Sequence, residues 1–196
     1  MPSISTHMHF GKVLLENINS KIDLLSYVIG LVSPKTIIHE LEEYHTLDED
    51  GNIDVREFYE KFNFKELSLE EKSFVLGYYS YLWLEEYYKF NARKLTIHNT
   101  EELSDEELIF TLENTFKQYD IEAVGDFYEK IKNSLNNYNP TFNLKETKYI
   151  SFNEVIKVLS NYFNETTPSV AFKELIDKNE YNSFINKSCS KFLKSL

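Results

Sequence analysis

The amino-acid sequence predicts an all-α fold, with a single domain built around a buried central helix at about residues 68–92. The 196-residue chain has only five Gly and four Pro, which leaves few turns and favours long helices. Apolar residues recur at helical spacing, and no alternating strand pattern with turn signals accompanies them. Capping-box patterns of the type Ser-x-x-Glu mark three helix starts, at 68–71, 104–107 and 151–154.

The first two helices are predicted near the N-terminus. Apolar residues from His7 to Ile18 recur at spacings of three and four, which places them on one helical face and predicts that His7 points inward. A second apolar helix is predicted to begin at Ser20 or Asp23, since either residue can cap it.

Further helices follow along the chain. Ser33 before Pro34 predicts an N-cap with Pro in the first turn of a third helix, at about 34–44. Helical apolar spacing marks four later segments, at 104–118, 122–137, 151–163 and 169–194.

The central helix, SLEEKSFVLGYYSYLWLEEYYKFNARKL, has no consistently polar face over its first four turns, so we expect protein on all sides of it. Because a buried carboxylate without a partner is costly, Glu85 or Glu86 needs a cation, a metal or several donors. Tyr81 lies four residues before Glu85 and shares its face. Alternatively, one of the two glutamates reaches the surface and pairs with Lys89 or Arg93.

Charge and composition exclude several functions. A net charge of −11 without a basic run repels phosphate backbones, so no nucleic-acid partner is expected. No apolar stretch approaches the ~20 residues of a membrane span, and MPSISTHMHF lacks the pattern of a signal peptide, so we expect a cytoplasmic protein. The single Cys189 cannot form an internal disulfide or a thiolate cluster. The oligomeric state stays open.

The stretch HTLDEDGNIDVREF, residues 45–58, resembles a calcium loop that lacks its first carboxylate. With Thr46 in the first position, five residues fall on the other ligand positions: Asp48, Asp50, Asn52, Asp54 and Glu57. EF-hands normally occur in pairs, and the second candidate, 143–154, has Lys148 where the turn needs Gly. Calcium binding is therefore not expected, although a calcium-binding protein using 46–57 is a second alternative.

Four segments over residues 5–92 together resemble the zinc-dependent phospholipase C family, which shares an all-helical fold with zinc single-strand nucleases. Family members have Thr-His before an apolar helix, Gly-x-x-x-Pro-Asp, Ser-His-Phe before an acidic turn, and Gly-Tyr-x-x-His-x-x-x-Asp. The corresponding segments here are STHMHFGKVLL, IGLVSPK, EYHTLDEDGNIDVREFYEKF and VLGYYSYLWLEEYY. The resemblance explains the acidic turn without calcium.

The resemblance implies a zinc site that has lost some of its ligands. His7, His45 and Glu85 occupy ligand positions of the family, whereas Lys35 and Tyr81 replace two other ligands. These remnants imply at most one zinc ion. We expect the five side chains to converge, with Lys35 pairing with Glu85 in a buried salt bridge.

Hydrolysis of a phosphodiester by this family's chemistry requires a metal-bound hydroxide and cations on the phosphoryl oxygens. The substitutions therefore predict a degenerate or non-catalytic member, and no catalytic residue is assigned. The alternative is an active metal-dependent phosphodiester hydrolase, acting on a small-molecule or lipid phosphodiester.

Overall fold

The structure is a computed structural model that describes residues 2–36, 54–101, 103–135, 137–142, 144, 150–164 and 174–196. Within these ranges it contains no strand, which confirms the all-α prediction. Seven α-helices occur in the described ranges: α1 Ile4–Asn17, α2 Leu24–Val32, α3 Val55–Glu60, α4 Leu69–Asn91, α5 Asp105–Leu135, α6 Phe152–Asn164 and α7 Lys178–Leu193. Short 3-10 helices follow α2 at Ser33–Thr36 and α4 at Ala92–Lys94.

The predicted capping patterns mark real helix starts. At α4, the Ser68 N–H donates to Glu71 Oε2 at 2.9 Å and the Glu71 N–H donates to Ser68 Oγ at 3.1 Å. The same reciprocal pair links Ser104 and Glu107 before α5. Asp23, one of the two candidates for the start of α2, accepts the Ser26 N–H at 2.9 Å. Side-chain oxygens thus satisfy the first N–H groups of these helices.

Two of the later helices differ from the predictions. The segments 104–118 and 122–137 belong to one continuous helix, α5, because the three residues between them, 119–121, are helical as well. Helix α7 begins at Lys178, where the Asp177 side chain accepts the Glu180 N–H at 2.9 Å and caps it. The predicted helix 169–194 therefore does not include 174–177, and its first residues, 169–173, lie outside the described residues.

The predicted third helix is also different where it is described. Ser33 ends α2 instead of starting a new α-helix: its hydroxyl donates to the Ile29 carbonyl at 2.6 Å, and the chain continues as the 3-10 helix Ser33–Thr36. The rest of the predicted helix, 37–44, lies outside the described residues.

The chain divides into two compact units that are each assembled from separated stretches. Helices α4 and α5 each contribute residues to both units, so the units are not consecutive halves of the chain, and the single domain stays a prediction. The first unit comprises Met1–Ile18, Leu84–Tyr128 and Glu165–Leu196, and the second comprises Asn19–Trp83 and Glu129–Asn164.

In the second unit, α2 and the first part of α4 pack with their backbones in close contact. A Cβ atom built on Gly77 would lie 2.0 Å from the Tyr27 carbonyl oxygen, and one on Gly30 would lie 2.1 Å from the Phe74 carbonyl oxygen. Only glycine fits at such a close approach. Phe74 to Leu82 of α4 are all buried, which confirms the predicted buried helix over this part.

In the first unit, α1 packs against α7, where the rings of Phe10 and Phe192 meet edge to face with centroids 5.8 Å apart. The C-terminal part of α4 is more exposed than its first part, and Phe90 is 62% exposed. None of the described helices combines the length and the apolar character that a membrane crossing requires.

Candidate functional site

Two histidines on α1 each contact a carboxylate on another helix of the first unit. The Nε2 atom of His7 lies 3.2 Å from Oε1 of Glu85 on α4. The Nδ1 atom of His9 lies 2.9 Å from Oδ1 of Asp120 on α5. The two residues point to different sides of α1 because successive residues turn by about 100°, so one helix joins two carboxylates.

The His7–Glu85 contact joins two of the residues at predicted zinc-ligand positions, which lie 78 positions apart in the chain. His7 is 1% exposed, which confirms that it points inward. The Glu85 side chain is 15% exposed and has His7 as a partner, as the cost of an unpartnered carboxylate requires. Glu86, the next residue, is exposed.

Tyr88 lies in the electrostatic field of both carboxylates. Burial, together with the negative charges of Asp120 and Glu85, raises the pKa of the Tyr88 phenol to about 12. The phenol is therefore neutral at physiological pH.

Asp120 is the centre of a buried hydrogen-bonded cluster that the sequence analysis missed. The Tyr181 hydroxyl donates to Asp120 Oδ1 at 2.9 Å, and the Thr6 hydroxyl donates to Oδ2 at 3.1 Å. Burial raises the pKa of the Asp120 carboxyl, while His9, Tyr181 and Thr6 favour its charged form. Burial, together with the negative charge of Asp120, also raises the pKa of the Tyr181 phenol. The cluster thus connects α1, α5 and α7.

A signal for Asp120 was present in the sequence. On α5, Asp120 lies four residues after Phe116 and four before Val124, on the apolar stripe of the helix. A carboxylate at such a position must have partners. Those partners come from residues 61 to 114 positions away, so the sequence alone does not identify them.

The other predicted site residues have different outcomes. Tyr81 is 8% exposed on α4, as expected for a residue of the buried helix. Lys35 is exposed on the 3-10 helix Ser33–Thr36, so the burial that we expected for it is not found, and its pairing with Glu85 stays a prediction. A lysine ammonium keeps its hydration at the surface, which explains why Lys35 is exposed. His45 lies outside the described residues.

Most of the calcium-like loop, 46–53, also lies outside the described residues. Its last two ligand positions are described: Asp54 is the N-cap of α3 and accepts the Glu57 N–H at 2.9 Å, and Glu57 lies 3.9 Å from Lys61. The capping role explains an acidic residue at Asp54 without a metal.

Two of the three residues at predicted zinc-ligand positions, His7 and Glu85, are described. Around a tetrahedral zinc, nitrogen and oxygen ligands lie about 3.3 Å apart, so the 3.2 Å between His7 Nε2 and Glu85 Oε1 fits both a direct hydrogen bond and a pair of ligands. A catalytic zinc site needs three protein ligands. Within the described ranges, no group of three or more His, Cys, Asp or Glu is arranged to hold a metal. The third predicted ligand, His45, lies outside these ranges.

The described part of the chain is therefore all-α, and two histidines of its first helix each pair with a carboxylate of another helix. No protein-family model, no curated protein and no solved structure matches the chain.

Proposed function

We propose that the protein is of the zinc-dependent phospholipase C type, with a degenerate metal site and without the hydrolase activity of that family. The contact between His7 and Glu85 supports this proposal best. The resemblance requires these two residues, from α1 and α4, at one site. An arbitrary pair of residues 78 positions apart has no reason to meet in this way.

The substitutions support the loss of activity. Lys35 places an ammonium, and Tyr81 a phenol, at positions where the family has ligands. His7 is itself a partner for the Glu85 carboxylate, so this carboxylate is stabilised without an ion. Cleavage of a phosphodiester by this chemistry requires a metal-bound hydroxide and a cation on the phosphoryl group, which the remaining ligands provide poorly.

An assay with a chromogenic phosphocholine diester, with and without added zinc, tests the proposal. We expect no turnover above that of the His7→Ala variant, which removes one remnant ligand. Zinc-dependent turnover that is lost in both His7→Ala and His45→Ala would contradict the proposal. That result would favour the alternative, an active hydrolase for small-molecule or lipid phosphodiesters.

Restoring the replaced ligands tests the correspondence of the motifs separately. The double variant Lys35→Asp, Tyr81→His should bind zinc more tightly than the wild type, because it returns a carboxylate and an imidazole to the ligand positions. Lys65→Asp, Tyr81→His is a matched control with the same charge change at another exposed lysine. Equal zinc affinity in the two double variants would show that Lys35 does not occupy a ligand position.

A further inference from the structure

A cleft lies in the first unit, between the C-terminal end of α4 and one face of α7. Its volume is about 820 Å³, within the range of about 300–1,000 Å³ that small-molecule sites occupy. We propose that this cleft binds a phosphorylated sugar. The polar groups that line it are three lysines, one glutamate and six amide or hydroxyl residues, among them Lys94, Lys187, Lys191, Glu180 and Asn182.

The cleft is positive on a chain with a net charge of −11. Its lining includes three ammonium groups and one carboxylate, Glu180, which already accepts the Thr96 N–H at 2.9 Å. Lys187 and Lys191 are one turn apart on α7, so both can reach one anion. Neither forms an ion pair with a described residue. A phosphate monoester, with about 1.5 to 2 negative charges at pH 7, matches this excess.

Two of the lysines are held at the edge of the cleft by their own contacts. Lys191 Nζ lies 5.3 Å from the centre of the Tyr87 ring, and Lys94 Nζ donates to Asn91 Oδ1 at 2.6 Å. Such contacts leave further N–H groups of each ammonium for a phosphate oxygen, because Lys has three donors.

The remaining lining residues fit the hydroxyl groups of a sugar. Amides and hydroxyls both donate and accept hydrogen bonds, as sugar hydroxyls require. Asn182 is half-buried and lines the cleft, so its side-chain amide is one of the groups that a sugar hydroxyl can contact.

Isothermal titration of the full chain with glucose 6-phosphate tests the proposal. We expect saturable binding that Lys191→Gln and Lys187→Gln each weaken about tenfold, as expected for loss of a charge-assisted hydrogen bond. Asn182→Ala should weaken the binding as well. Lys194→Gln is the matched control: it removes the same charge at the end of the same helix without lining the cleft, and it should leave the affinity unchanged.

Titrations with inorganic phosphate and with glucose separate the two parts of the ligand. We expect each to bind at least tenfold more weakly than glucose 6-phosphate. If inorganic phosphate bound as tightly as glucose 6-phosphate, the sugar would contribute nothing to binding, and the proposal of a phosphorylated sugar would be wrong. The absence of saturation up to about 10 mM glucose 6-phosphate, a limit that corresponds to about −2.7 kcal/mol, or equal weakening by Lys194→Gln, would overturn the site. All these variants leave His7 and Glu85 in place.

Discussion

The two compact units hold their helices together by different means. In the first unit, the buried Asp120 carboxylate joins three helices through His9, Thr6 and Tyr181. In the second, α2 and α4 approach so closely at Gly30 and Gly77 that no side chain fits between them. The first arrangement depends on buried polar groups that are all hydrogen-bonded. The second depends on glycines, whose missing side chains let the two backbones pack closely. Substitutions should therefore act on the two units through different physical causes.

The largest effect is expected at Asp120. Asp120→Ala should lower the free energy of unfolding by about 3–5 kcal/mol, because it leaves His9, Tyr181 and Thr6 buried without their shared partner. Urea unfolding followed by circular dichroism measures this loss. Asp126→Ala, at an exposed position of the same helix, should change stability by less than about 0.5 kcal/mol. Equal effects of the two variants would show that the cluster contributes nothing.

Gly77→Ala should give the next largest loss, about 2–3 kcal/mol, because its Cβ would lie 2.0 Å from a backbone oxygen and α2 would have to move. The same unfolding experiment measures it. A neutral result would mean that the two helices are further apart than the structure places them.

The pH dependence should reveal the electrostatics of the first unit. The Tyr88 pKa is raised to about 12 in the folded protein, against about 10 when unfolded. The unfolded chain therefore loses this proton first, and stability falls as pH rises from about 10 through about 12. Tyr88→Phe should remove about 2 kcal/mol of this loss. Unfolding curves at several pH values measure the slope, and an identical slope in the variant would contradict the burial of Tyr88.

The smallest effect, and the one of opposite sign, is expected at Gly125 in α5. A Cβ atom at this position meets no atom within 4 Å. Gly125→Ala should therefore stabilise the protein by about 0.5–1 kcal/mol through helix propensity alone. Thermal unfolding of this variant beside Gly77→Ala compares an open with a closed glycine position, and a loss of stability at Gly125 would remove the distinction.

The sequence predicted local features well. The all-α class, the capping boxes and the buried part of α4 follow from residue spacing over a few turns, and the structure has them. The start of α7 was wrong because one cap, Asp177, decides it. The Asp120 cluster was missed because its partners are distant in sequence. For the candidate site, the resemblance led us to expect His7 and Glu85 close together, and their side chains are in contact; the exposure of Lys35 was not expected.

The metal content of the purified protein tests the degenerate site most directly. Elemental analysis after dialysis against buffer with a micromolar excess of zinc and calcium should find well below one ion of either metal per chain. The reason is that the proposal has Lys35 and Tyr81 at two zinc-ligand positions, and that Thr46 stands at the first ligand position of the calcium-like loop. About one zinc per chain in the wild type, lost in both His7→Ala and Glu85→Gln, would contradict this: the 3.2 Å contact would then be a pair of metal ligands.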